Sequence, residues 1–325
     1  MENTYGTSGV PTHELHEIFD ATKIKMFMRS PRMYFHEYIL GHRPIKPNVH
    51  LIFGGAIHES MEIIHKDGFT QKSLQDAIEA FYNYYSQYYP DEEAWDMNHP
   101  KTPGAAIEVL KLYFQTYQDC DANDQVLYTE VSGAMPVNEK YDVIHFKIDS
   151  IIKDGNKYFS REHKTTGRMG ATWESTWYTD FQVDTYNYAL NMLLPVLTAN
   201  FGKGYSRGVV INGMGIFKSK SPVLKRVPVF KPEQAIDKYR NEVTYWIDQI
   251  RSEMEVLAEC KPSDPVLCAF PCNTESCKTY GGCKIADLCN SHFNPLQDLS
   301  TPVGMVVDLW DPRGQGKTKL EEIAF

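Results

Sequence analysis

Residues 146–166, FKIDSIIKDGNKYFSREHKTT, limit what this chain can fold into more than any other stretch. Two runs rich in Ile, Phe and Tyr flank Asp154-Gly155-Asn156, and a Gly-Asn pair suits a two-residue hairpin loop. With Gly155 and Asn156 as that loop, Asp154 pairs with Lys157, and counting back sets Asp149 opposite Glu162. A loop at Asp154-Gly155 makes the two acids diagonal neighbours, and a three-residue loop separates them. Glu162 and Lys164 are two apart and share a face. Carboxylates facing each other across a sheet repel unless something cationic lies between them. Oxygen ligands of this kind suit Mg²⁺ or Mn²⁺. The same residues also read as an ordinary charged hairpin on a surface.

The neighbouring segments place that hairpin in an α/β (or α+β) chain. Helical spacing is expected over HELHEIFDATKIKMFMRS, PRMYFHEYILG, LIFGGAIHESMEIIHK, SLQDAIEAFYNYYSQYYP opening at a cap-like Ser73, and GAAIEVLKLYFQTYQDC. Strands are expected from Gln125, with QVLYTEVSGAMPV and YDVIHFKIDSII before NKYFSREHKTT. A helix follows at DFQVDTYNYALNMLL, then strands at YSRGVVINGMGIFK and SPVLKRVPVF, then a long helix from Pro232 to Glu259. This order predicts a mixed central sheet flanked by helices, with a helical insertion at about 67–124. The expected division is an N-terminal helical segment at 1–50, a core at 51–259 and a Cys-rich segment with its tail at 260–325.

Composition narrows the partners. A net charge of −9 argues against coating nucleic acid by bulk charge. The charge is uneven, however: Phe201–Lys231 holds seven Lys and Arg residues and no acid. That tract reads as a solvated face or as a track for phosphates. There is no apolar run long enough to span a membrane and no signal-like N-terminus, so a cytoplasmic protein is expected.

Four blocks in order carry a resemblance: GGAIHE at 54–59, ID at 148–149, EHK at 162–164 and QVDTY at 182–186. Together they resemble the PD-(D/E)XK nuclease superfamily and its RecB-like branch, which includes AddB-type, CRISPR-associated and phage exonucleases. The resemblance implies a restriction-endonuclease-like core and a Mg²⁺- or Mn²⁺-dependent deoxyribonuclease acting on single strands or DNA ends. An endonuclease or CRISPR-adaptation trimming factor is the alternative within enzymes, and a catalytically silent DNA-binding subunit is the alternative outside them. Carried over by position, His58, Asp149 and Glu162 are implied metal ligands, with the backbone carbonyl of His163, and Lys164 is the implied catalytic lysine. Gln182 and Tyr186 are implied to position Lys164 and the DNA. Glu130, on the preceding strand, reads equally as a supporting carboxylate or a strand-edge charge. The family usually has glycine three residues before the aspartate; here Phe146 stands there, and a narrower approach for DNA is expected.

Six of the seven cysteines lie between Cys260 and Cys289. Such clustering in a cytosolic chain suggests a metal site. Cys272, Cys277, Cys283 and Cys289 lack Cys-x-x-Cys spacing, which disfavours a zinc ribbon. CKTYGGCKIADLC is similar to the C-terminal cysteine triple that holds a [4Fe–4S] cluster in the RecB-like branch. The N-terminal cysteine of that set is replaced by Ser30, leaving Cys272 or Cys268 as the fourth thiolate. Structural zinc and no metal remain open. HESME at 58–62 and GQGKT at 314–318 fail the zinc-protease and P-loop patterns, since position 62 is Glu62 and position 311 is Asp311. No ATP-binding motif is present, so any unwinding needs a helicase or recombination partner.

Overall fold

The computed structural model describes residues 3–46, 48–278 and 283–320. A 3-10 turn at Glu14–Glu17 precedes β1 (Phe19–Asp20), α1 (Ala21–Arg29) and α2 (Pro31–Tyr34). The continuous helix expected over these residues is broken because Asp20 caps α1, accepting from the Lys23 amide at 2.7 Å. The buried Lys23 ammonium then donates to the carbonyls of Leu15 and Ile18, at 2.6 and 2.7 Å, which fixes the non-helical stretch before it. After β2 (His42–Pro44), α3 (Val49–Asp67), α4 (Gln71–Tyr88) and α5 (Pro103–Tyr117) follow. Thr70 caps α4, and Ser73 is the returning half of the capping box rather than its start.

Next come β3 (Gln125–Pro136), β4 (Val143–Asp154) and β5 (Lys157–Thr166), then α6 (Ala171–Trp177) and α7 (Phe181–Phe201). Helix α7 continues through Pro195 because Leu193 and Leu197 bury on either side of it, outweighing one lost backbone bond. The chain closes with β6 (Tyr205–Gly215), β7 (Val223–Val229), α8 (Glu233–Glu259), α9 (Thr274–Cys277), α10 (Ala286–Ser291), β8 (Met305–Val307) and β9 (Thr318–Lys319).

Among the described residues, seven strands form one mixed sheet in the order β7-β6-β5-β4-β3-β9, with β1 parallel to β4. The pairs β4–β5 and β6–β7 are antiparallel, and β5–β6 is parallel, joined by the crossover through α6 and α7. Asp154 pairs with Lys157 around Gly155 at φ +59°, the loop that the sequence predicts. The register runs back to Ser150 opposite Arg161, one step short of Asp149 and Glu162. Strand β9 was not foreseen: the GQGKT stretch leads into an edge strand parallel to β3, and Thr318 donates to the Thr129 carbonyl at 2.9 Å.

The chain forms two compact units, one of Met1–Lys46, Ala134–His145 and Asp237–Arg313, the other of Pro47–Gly133, Phe146–Ile236 and Gly314–Phe325. The second buries Phe53, Ile57, Met61, Phe81, Tyr85, Leu110, Tyr113 and Met214 in one cluster beneath α3, α4 and α5. The first buries an aromatic group around Phe270, with Tyr34 stacked on it at 6.0 Å between centroids and Phe27 edge-on at 6.4 Å. Among the described residues no helix is long and apolar enough to cross a membrane.

Candidate active site

The site lies within the second unit, where β4, β5, α3 and α7 each bring polar side chains to one place. His58 sits mid-helix on α3, and its Nδ1 is 3.1 Å from Asp149 Oδ1 on β4. The other oxygen of Asp149 accepts from the His163 amide of β5 at 2.8 Å. Across the hairpin, Lys164 donates to Glu162 Oε1 at 2.6 Å and to Gln182 Oε1 at 3.0 Å. Gln182 in turn donates through Nε2 to the Tyr186 hydroxyl at 2.7 Å. Asp180 caps α7 by accepting from the Gln182 amide at 2.9 Å, so the first turn that carries Gln182 is fixed. All six residues singled out from the sequence are thus joined or adjacent.

Glu130 is the residue whose sequence reading left its part open. Its backbone has φ +51°, a left-handed conformation that costs a non-glycine residue energy and is held here inside a strand. Ligand atoms of His58, Glu130 and Asp149 all lie within 4.8 Å of one another. Glu130 also pairs with Lys147 on β4. The signal available in advance was a carboxylate in the middle of an apolar strand; the turned backbone that aims it was not legible.

Electrostatics separate the two central acids. Asp149 is 8 % exposed and Glu162 3 %. Burial pushes the Asp149 carboxyl up, but the His58 imidazole overrides it and holds Asp149 well below the usual carboxylate range. Burial, reinforced by the Asp149 charge, lifts Glu162 to about 7. Burial disfavours the Lys164 ammonium, yet Glu162 and Asp149 together raise its pKa. One oxygen of Glu162, Oε2, is buried without a hydrogen-bond partner. A buried carboxylate oxygen without a protein partner is open to a cation, while the ligand atoms that lie within 4.8 Å of one another are those of His58, Glu130 and Asp149, without Glu162.

Phe146 does not crowd this site. Three residues from Asp149, it projects from the opposite face of β4. Its buried ring packs over Gly133, where a Cβ would lie 3.2 Å from the ring edge. The expected narrowing therefore has no basis in the position of this side chain. The His163 ring lies tilted against His65, 4.8 Å between centroids, and accepts from Asn212 at 2.9 Å.

The cysteine-rich segment belongs to the first unit. The thiols of Cys272 and Cys289 lie within hydrogen-bonding reach of each other, as do those of Cys277 and Cys283, and Cys283 also acts electrostatically on Cys289. Burial and the neighbouring Cys272 push the Cys289 thiol up to about 12. Arg32 acts on Cys289 and Arg29 on Cys283. Ser30, between those arginines, is buried and caps α2 by accepting from the Met33 amide. Cys268 is exposed, and Cys260 is buried against the Val256 carbonyl of α8.

A family model described as the PD-(D/E)XK nuclease superfamily matches residues 19–290. A search of the curated proteins finds no match. Among solved structures, the chain is similar to a presumed exonuclease from Eubacterium rectale at 12 % identity, covering 75 % of this chain and 82 % of that one with a TM-score of 0.42. It is also similar to a protein named SSO0001 at 14 % identity, covering 53 % of this chain and 73 % of that one with a TM-score of 0.24. Both likenesses are too distant to carry residue roles across.

Proposed function

Because the chain belongs to the PD-(D/E)XK nuclease superfamily, we propose that it is a RecB-like deoxyribonuclease that hydrolyses DNA phosphodiesters with Mg²⁺ or Mn²⁺, acting on single strands or ends. The observation that supports this most is the grouping of ligand atoms of His58, Glu130 and Asp149 within 4.8 Å of one another, with a buried Glu162 whose Oε1 holds Lys164 and whose Oε2 has no partner. These four, with the His163 carbonyl, would hold the cation. A bound divalent ion polarises a phosphodiester and acidifies water. Lys164, fixed between Glu162 and Gln182, presents a positive charge to the phosphate or to the attacking water. Tyr186 keeps Gln182 from turning away.

The four cysteines, on this reading, hold a [4Fe–4S] cluster, with structural zinc as the alternative. Nothing in the chain resembles a sequence-reading module, so binding rests on phosphate contacts and base stacking. Unwinding of duplex would fall to a separate helicase or recombination partner. The test is incubation of the purified protein with linear and circular DNA, single- and double-stranded, in Mg²⁺, in Mn²⁺ and in excess chelator. Linear single strands are expected to be degraded while circles of the same sequence survive. Equal rates on circles identify an endonuclease, and full activity in chelator removes the metal from the mechanism.

A further inference from the structure

Strands β5, β6 and β7 carry a row of three residues across the sheet: Lys164 pairs with Gly213, and Gly213 with Lys225. Paired residues project from the same face, so two lysines flank a position with no side chain. That position is covered. A Cβ on Gly213 would lie 2.2 Å from Cη2 of Trp173 and 3.0 Å from Cε of Met169. The Trp173 indole therefore lies on the backbone of β6, one strand spacing (about 4.8 Å) from the backbone of Lys164. Only glycine at 213 permits this.

Helix α6, which carries Trp173, is unusual for what it leaves open. None of its residues is buried, although it holds two tryptophans. Trp173 and Trp177 meet edge to face at 5.4 Å and 79°, and both are only partly buried, with the Trp177 indole nitrogen turned inward. The next residue, Tyr178, is 52 % exposed. Glu174, between the tryptophans, pairs with Lys225, the far end of the row. The result is an aromatic surface anchored beside Lys164, with a cation at each side. Lys225 is already neutralised by Glu174, so what this surface offers a flexible strand is the indole face, which suits an unstacked base. The bases of a duplex are already stacked and paired, and cannot lie on it.

We propose that Trp173 and Trp177 form a stacking platform for an unpaired nucleobase next to the cleaved phosphate, which makes the substrate single-stranded. The proposal rests on the nuclease reading above, and its test separates the two. In chelator, where no cutting occurs, the full-length protein is titrated with a short labelled single strand, with the same strand carrying one abasic site at each position in turn, and with a duplex. The wild type should prefer the intact single strand and lose about tenfold when one particular base is missing, the size of one base–aromatic stack. Trp173→Leu should lose about the same on the intact strand and be indifferent to the abasic site, while Trp173→Phe restores most of the loss. A Leu variant that binds intact and abasic strands as the wild type does, or loses equally on both, overturns the platform; so does a wild type that prefers duplex or binds no single strand. A wild type that shows the base-dependent binding but cuts nothing in Mg²⁺ or Mn²⁺ leaves the platform standing and sinks the nuclease reading.

Discussion

The carboxylate site and the cysteine segment are both candidate metal-binding regions, and the protein supports them in opposite ways. Around Asp149 the polar groups are held by two chains of hydrogen bonds on strands and long helices, one from His58 through Asp149 to the His163 amide, the other from Glu162 through Lys164 and Gln182 to Tyr186. Around Cys272–Cys289 the described elements are helices of four and six residues with no buried residue, and the thiols contact chiefly one another. The first region has its geometry before a ligand arrives, as a catalytic site requires. Among its described residues between Cys272 and Cys289 the second buries only the apolar side chain of Ile285, so a metal bound there would act as a staple. Loss of a ligand should therefore cost chemistry in one region and order in the other.

The largest effect follows from the first half of that contrast. Asp149→Ala, Glu162→Ala and Lys164→Ala should each lower cleavage by about 10²–10³-fold or more, the scale of losing a preorganised charge. Thermal midpoints should change little, because these groups serve a ligand and add no apolar packing. Glu130→Gln should behave in the same way. If Glu162→Ala keeps wild-type turnover, the site is wrongly placed; if it unfolds the protein, the region is structural like the other.

The second effect should run the other way. Anaerobically purified protein should be brown and contain iron and acid-labile sulfide. Cys289→Ser should remove that colour, lower the melting midpoint and open 260–290 to proteolysis, while the carboxylate site keeps its Mn²⁺ affinity. Stoichiometric zinc without sulfide would change the metal but keep the contrast. A variant with unchanged melting and proteolysis would end it.

Much of the carboxylate site was legible because it depends on period and loop length. Gly155-Asn156 sets the register, and alternation then puts Glu162 and Lys164 together. The i, i+4 spacing of Gln182 and Tyr186 did the same on α7. The contribution of Glu130 was not, because it depends on a positive φ in a β run that no residue preference announces. Nor was β9, two residues long and held by its pairing with β3 rather than by propensity. The helix expected over 13–30 begins only at Ala21 for a related reason: a buried lysine took the carbonyls of Leu15 and Ile18, a tertiary effect that outweighs local periodicity before that point.

The basic tract repeats the contrast on a smaller scale and gives the smallest effect. Of its seven cations, Lys225 pairs with Glu174, Arg226 with Asp121 at 2.6 Å and Lys231 with Asp184 at 2.7 Å. Arg226 also stacks 3.5 Å over Tyr117 and shares Asp121 with the buried Arg161, so it braces the fold. Lys218 and Lys220, on the loop between β6 and β7, have no ion pair among the described residues, and Lys220 rests 4.1 Å over Phe217. A cation already neutralised by a carboxylate releases no DNA counterion when phosphate approaches; an unpaired one does. Reversing Lys218 and Lys220 to Glu should therefore reduce the log–log salt slope of single-strand binding by about 0.7 for each lost phosphate contact. Reversing Lys231 should barely move the slope, and its cost should appear as lost stability instead. Salt titrations of binding on these variants decide the matter. Equal slopes for the wild type and the Lys218/Lys220 variant would make that loop an ordinary solvated surface, and a slope that falls with Lys231 would show that its ion pair opens to admit DNA.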